Sequence, residues 1–405
     1  MQRLVLAAAA VSALALVSPA MAADAGAAAP ADAKTADGFK GDLSLTASVT
    51  HNDNILASGA NPVGDTIYVV NPKAEISAHT EKTDVDGYAE ATFTRNAAQG
   101  SENSNDYEVG GQGKARFDGG SAFIMGDWAK DTEARTVKNT RRDTVNRIVD
   151  YNDKIETGLI GTIAGVKLTG EGKLHQYDFQ NGKRADGATV LQNDRDRNDW
   201  SESLKAEFSP DSMVSFFLKG EVKQVDYRLA PPQSRHNRDS HGYDLSAGAT
   251  INVTGTLTGE FDAGYTKRFF PDPRLPDVQD VSLNGSLTWT PNKASSVALT
   301  LSRSLQEDVE PDSSAYISTT LGLNVSRDLS AKFTAKGTAS YEWDDHKGID
   351  RGDHVGNLGA SLAYHLTSNV DLSGSYNYTV QTSAGAQAKD DYKQNVFAAT
   401  LTLRY

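Results

Sequence analysis

Apolar and polar residues alternate one by one over long stretches of this chain. In QNVFAATLTLRY, residues 394 to 405, one parity carries Phe397, Ala399, Leu401, Leu403 and Tyr405, and the other Ala398, Thr400, Thr402 and Arg404. Side chains alternate across a strand, so this segment has one apolar, aromatic face and one polar face. The pattern recurs where Val166, Leu168, Gly170, Gly172 and Leu174 oppose Lys167, Thr169, Glu171, Lys173 and His175. It recurs again where Val214, Phe216, Leu218, Gly220 and Val222 oppose Lys219, Glu221 and Lys223. Turn residues between such segments divide the chain into about eighteen strands, from 41–51 to 392–405, with sixteen as the second choice.

A soluble sandwich also alternates, so the connections discriminate. Every second one is short, as in IAG at 163–165, SPDS at 209–212, VTGT at 253–256, TPNKA at 290–294 and HLTSN at 365–369. The intervening ones read as long and polar: 130–147, 180–198, 228–240 and the stretch WDDHKGIDRGD at 343–353. Short turns on one side and long loops on the other are the signature of an all-β transmembrane antiparallel barrel in a bacterial outer membrane. An even strand count returns both ends to the periplasmic side, where the last strand would close against the first. Phe397, Leu401, Leu403 and Tyr405 then form a lipid-facing stripe ending in an interfacial aromatic, the kind of C-terminal signal read by the outer-membrane assembly machinery.

Composition fits this class. Residues 1–22 combine Arg3, a short apolar run and the small-x-small site Ala20-Met21-Ala22, which reads as an export signal. Residues 23–38 are Ala-rich without periodicity and read as a flexible periplasmic linker, leaving 39–405 for the barrel. There is no Cys, so no disulfide holds the fold. Apolar residues make up 38%, low for a large soluble core but sufficient to cover a lipid face around a polar lumen. The net charge of −13 and the lack of a basic stripe speak against nucleic acid as a partner.

The inward parity supplies candidate pore-lining residues: Lys167, Glu171, Lys173, His175, Lys219, Glu221, Lys223, Glu260 and Asp262. Charges of both signs in a water-filled lumen suit polar solutes such as sugars or small ions; the same residues also read as a solvated wall without selectivity. Tyr107, Trp128, Tyr177, Trp200, Tyr227, Tyr243, Tyr265, Trp289, Tyr341, Trp343, Tyr376, Tyr392 and Tyr405 fall near strand ends and read as interface girdle. Asp344, Asp345, Asp350 and Asp353 are carboxylates of the kind calcium takes. They lack the twelve-residue, helix-flanked grammar of a dedicated site, so a solvated loop is the reading and neither metal nor cofactor is expected. Arg141, Arg142 and Arg147 could meet lipopolysaccharide phosphates, although Asp131, Glu133 and Asp143 make that loop one of mixed charge. No nucleophile elbow, zinc pair or phosphate loop occurs, and His175 near Asp178 is the nearest approach to a catalytic set, so no enzyme is expected.

The N-terminal strands carry a resemblance. Asn52, Asp53, Asn54 and Ile55, followed by Val70 and Pro72 in GDTIYVVNPKAEISAHTE, resemble the opening of the outer-membrane barrels called putative beta-barrel porin 2, with His51 standing where an aromatic or acidic residue is usual. The resemblance implies an outer-membrane channel, with exopolysaccharide export as a role of some members. It also implies periplasmic polysaccharide-export proteins as partners, beside lipids and lipopolysaccharide. The alternative is a surface or adhesion barrel whose loops seal the pore.

Overall fold

The computed structural model describes residues 38–137, 144–229, 231, 234–253, 255–310 and 312–405. The segment 1–22 read from sequence as an export signal, and residues 23–37 of the segment read as a linker, lie outside the described residues; Gly38 already opens the first strand. The first seven strands are β1 (Gly38–Asn52), β2 (Asp65–His79), β3 (Thr83–Asn96), β4 (Ser104–Phe117), β5 (Gly120–Thr132), β6 (Val149–Ile163) and β7 (Val166–Phe179). A small loop hairpin, β8 (Gly182–Lys183) with β9 (Thr189–Val190), separates them from the rest. There follow β10 (Arg197–Phe208), β11 (Val214–Tyr227), β12 (Ser240–Val253), β13 (Leu257–Phe269), β14 (Val278–Asn292) and β15 (Ser295–Gln306). The last five are β16 (Ala315–Ser330), β17 (Phe333–Lys347), β18 (Gly352–His365), β19 (Val370–Ala384) and β20 (Tyr392–Arg404).

Apart from the loop hairpin, each strand pairs antiparallel with the next, β7 pairs with β10, and β1 pairs with β20, so eighteen strands close into a barrel. Closure extends to the last residue: Tyr405 donates its amide to the Leu43 carbonyl (2.8 Å) and accepts from the Leu43 amide (3.2 Å). At the opposite end of the same seam, the Asn52-Asp53-Asn54 element clasps β20. Asn54 Nδ2 donates to the Lys393 carbonyl (2.8 Å), Gln394 Nε2 to the Asn54 carbonyl (2.8 Å), and the Asp53 carboxylate accepts from the backbone and side-chain amides of Asn395 (2.7 and 2.6 Å).

Local chemistry explains the tight side of the barrel. Between Ile163 and Val166 only Ala164 and Gly165 remain, with φ of +51° and +79°. Such a pair has the twist of a two-residue hairpin turn, and Gly takes its left-handed conformation without steric cost. Strands outlast the expected boundaries on the loop side. The stretch 343–353, read from sequence as a long loop, is the hairpin tip of β17 and β18, and only 348–351 lie outside strands. Beyond the membrane both faces are polar, so the ladder continues where the apolar contrast that reveals it has vanished.

Pro72 is a test of how closely the wall is satisfied. Lacking an N–H, it cannot donate to the facing β3, where pairing is interrupted between Val70↔Phe93 and Lys73↔Glu90. The neighbouring Asn71 fills the gap from the lumen side. Its Nδ2 donates to the Ala91 carbonyl (3.2 Å), to Thr92 Oγ1 (2.8 Å) and to the Glu90 carboxylate. Asn71→Ala is expected to destabilise the folded barrel by about 1–3 kcal/mol, the cost of leaving buried polar groups unpaired; urea titration of protein folded into lipid vesicles would read this as a lowered midpoint.

Candidate functional site: the lumen and its outer mouth

The registers fix which side chains look inward. Lys167 pairs with Glu207 across β7 and β10 (3.1 Å), Lys173 with Glu156 of β6 (3.2 Å), and Lys205 of β10 reaches Glu260 of β13 (2.6 Å). On β11, Glu221 sits between Lys219 (3.5 Å) and Lys223 (3.3 Å). Glu171 lies 3.7 Å from Lys173, and Asp262 accepts from Asn284 of β14 (3.4 Å). All nine sequence-derived lumen candidates thus lie on the face opposite the exposed apolar one, which includes Leu204, Phe216, Leu218, Val222 and Phe261. The alternation also separates His175 from Asp178. His175 stacks inward on Tyr177 (3.9 Å), whereas Asp178 points outward to Arg228 (2.9 Å), so the two form no catalytic pair.

The outer mouth is narrowed by loops that bend inward. Residues 133–137, after β5, reach over to β20, where Tyr392 Oη donates to the Thr136 carbonyl (3.5 Å). Their base is held by Arg135 on Glu102 (2.8 Å) and by Arg195 on Glu133 (2.5 Å). Opposite them, the 307–314 connection between β15 and β16 extends to strands several places away. Glu307 accepts from Tyr227 Oη of β11 (2.8 Å) and pairs with Arg268 of β13, Arg238 donates to the Asp308 carbonyl, and His346 of β17 pairs with the Asp308 carboxylate.

Between this loop and the β6–β11 wall lies a chamber of about 590 Å³. Its wall is a grid set by register. Lys154, His175 and Asp199 form one level; Asn152, Tyr177, Arg197 and Tyr227 form the next. Guanidinium groups stack on the aromatic faces, Arg197 over Tyr177 (3.9 Å), Arg195 over Phe179 (3.8 Å) and Arg238 over Tyr227 (4.6 Å), geometries in which the ring quadrupole attracts the cation. Burial alone would raise the Glu307 pKa, but Arg268, Arg197 and Arg238 outweigh it and hold the carboxyl below its ordinary range. Asp308 is likewise held low, burial being outweighed by the hydrogen bond and charge of His346.

Three tyrosines are corrected by these contacts. Tyr177, Tyr227 and Tyr392, read from sequence as girdle, stand on the lumen face and build the mouth. Tyr107, Trp128, Trp200, Tyr265, Trp289, Tyr341, Trp343, Tyr376 and Tyr405 are exposed on the outside, as are Phe397 and Leu401; Leu403 shares their parity and is half-buried. Strand-end position alone does not distinguish the two faces. The acidic group at the β17–β18 hairpin does not converge. Asp353 is held by Arg351, Asp345 pairs with Lys347 on the opposite parity, Asp344 is buried in β17, and the Asp350 carboxylate accepts from the Ala386 amide of the 385–391 connection. Among the described residues no group of three or more His, Cys, Asp or Glu could hold a metal ion. Arg141 and Arg142 lie outside the described residues, and Arg147 turns inward to the Glu102 carbonyl (2.9 Å).

Likenesses among solved structures include the following three. A mutant of the ferric enterobactin receptor PfeA from Pseudomonas aeruginosa has 7% identity and a TM-score of 0.49, covering 91% of this chain and 81% of that one. The siderophore receptor PirA from Acinetobacter baumannii has 7% identity and a TM-score of 0.48, covering 92% and 81%. OccK2 from Pseudomonas aeruginosa has 10% identity and a TM-score of 0.46, covering 90% and 98%. Likeness at this level says nothing of a shared solute. No curated protein matches the chain. The family described as Putative beta-barrel porin 2 matches residues 39–405, and the chain therefore belongs to that family, as a transport-type outer-membrane barrel of a Gram-negative bacterium.

Proposed function

We propose that the barrel is a passive aqueous channel for polar solutes, narrowed at its outer mouth by the inward loops. The observation that carries this reading is the state of the lumen charges. Lys167, Lys173, Lys219 and Lys223 pair with neighbouring carboxylates yet keep side-chain exposures of 37–43%, as groups lining water do. Barrels of this size enclose an aqueous channel unless it is filled, whereas eight-stranded ones are packed with side chains. The nine lumen candidates would act as a weakly selective wall, and the mouth chamber as the narrowest passage.

An exported polysaccharide is the larger load within this reading, supported by the family resemblance. It would have to displace the 133–137 and 307–310 segments, and it would bring a periplasmic polysaccharide-export protein to the short turns as partner. Lipids and lipopolysaccharide surround the apolar band, and the assembly machinery would read the stripe from Phe397 to Tyr405. The loop contacts favour one rival, a surface barrel whose loops seal the pore.

Single-channel recording in planar bilayers decides between them. Stable steps from the inserted, folded protein, partially blocked by neutral oligosaccharides of increasing size, are expected; silence from demonstrably folded and inserted protein would remove passive diffusion and leave the sealed barrel.

The Glu307 cluster adds a dependence on pH. Because its folded pKa is depressed, the stabilisation it gives the loop is complete above the ordinary Glu value of about 4.3 and is lost as pH falls through the lower folded value. Conductance is expected to be steady from neutral pH to about 5 and to rise in stronger acid as the 307–314 segment loosens. Glu307→Gln should produce the wider state at neutral pH, since loss of one partner from a nearly buried ion cluster costs roughly 3 kcal/mol and leaves Arg268 without its carboxylate.

A further inference from the structure

One group on the outward face of the wall is ill suited to hydrocarbon. On β10, Glu202 shares its parity with Trp200 and Leu204 and is exposed on the lipid side, one outward position further from the loop end than Trp200. Leu174 and Trp200 lie in the row above it, Gly170 and Leu204 in the row below, and Gly172 and Val222 on either side. Among the described residues Glu202 has neither a hydrogen bond nor an ion pair. A charged side chain on the lipid face of a barrel costs stability increasingly with depth, and lipid tails offer a carboxylate no donor.

A second observation lies beside it. The row that holds Glu202 runs from Thr157 on β6 through Gly172 on β7. Thr157 is exposed, and its Oγ1 lies 3.8 Å from where a Cβ on Gly172 would stand; the space over Gly170, in the row below, is open. Glycine within a strand marks a place that another backbone can approach closely. A hydroxyl donor and a carboxyl acceptor thus flank a bare stretch of β7 on the lipid face.

We infer that this patch is where a second copy of the barrel docks within the membrane. Two barrels inserted in the same direction are related by a two-fold axis along the membrane normal. An axis passing in front of Gly172 puts Thr157 of each copy on the side of the other's Glu202. Such an interface is isologous, the same patch meeting itself. The Thr157 hydroxyl donates to the Glu202 carboxyl across the interface, twice by symmetry, while Gly170 and Gly172 let the two walls approach. The chemistry selects a second copy over lipid, because the headgroups that carry donors lie at the level of the aromatic girdle and above it. The patch is on the outside of strands that line the mouth chamber, so pairing leaves both lumens clear.

The chain has no Cys, so single introduced cysteines report the contact without background. The protein folded into phosphatidylcholine vesicles at high lipid ratio is expected to give a covalent dimer on mild oxidation with Gly172→Cys. Leu358→Cys, exposed on β18 at the opposite side of the ring, is expected to give none. Adding Glu202→Leu should cut the dimer yield about tenfold, the effect of losing two hydrogen bonds of ordinary net strength. Adding Glu202→Gln, whose carbonyl still accepts, should leave the yield near that of the parent. Folding of each variant is read from the resistance of the barrel to unfolding in cold dodecyl sulfate. If Gly172→Cys does not insert, native mass spectrometry of the wild type and Glu202→Leu from detergent takes its place, with dimers expected for the first and monomers for the second. Equal cross-linking at the two cysteine positions, undiminished pairing in Glu202→Leu, or a wild type that stays monomeric overturns the inference and leaves the channel reading untouched.

Discussion

An amide left unpaired in hydrocarbon costs several kcal/mol, and no water is present to relieve it. The rest of this architecture follows from that penalty. It requires a closed sheet, so β1 and β20 meet along a seam bonded from Asn52 down to the terminal Tyr405. It also explains why a proline in β2 stands beside an asparagine. Pro72 removes a donor that the wall needs, and Asn71 returns one from the lumen side, where a polar side chain is tolerated. With the backbone satisfied, the outward side chains are free to be apolar and the inward ones polar, a division that a soluble core does not permit.

The inner face then differs from sector to sector. Where carboxylates and ammonium groups face each other across neighbouring strands they neutralise one another locally, and where serine, threonine and asparagine face inward the surface carries dipoles without charge. Above both, the inward loops are held by a few deeply placed ionic contacts instead of by an apolar core. The described apolar cluster of Phe270, Leu275, Val278, Ala315 and Ile317 lies at the loop end of the barrel wall, where it supports the base of the 307–314 connection.

Most of the wall was legible in the sequence because a period of two is a local signal: each residue declares its face by comparison with its immediate neighbours. The nine lumen candidates and the even strand count came from that signal alone. The mouth was not legible for the converse reason. Tyr177, Tyr227 and Tyr392 occupy the same strand-end positions as true girdle residues, and what turns them inward is a partner far along the chain, Arg197 by register, Glu307 by 80 residues and Thr136 by 256. The extra strand length at 343–353 escaped notice because alternation among Trp343, Asp344, Asp345 and His346 places polar groups on both faces.

The clasp of Asp53 and Asn54 on β20 has a consequence for assembly kinetics. It joins groups about 340 residues apart, among the most non-local contacts in the chain, so its loop-closure entropy is recovered only after the intervening hairpins have registered. A seam slipped by two residues could still pair β1 with β20 backbone to backbone, but it would not bring Asn395 opposite Asp53. The clasp therefore acts as a register check on the closing seam, at the loop end of the barrel.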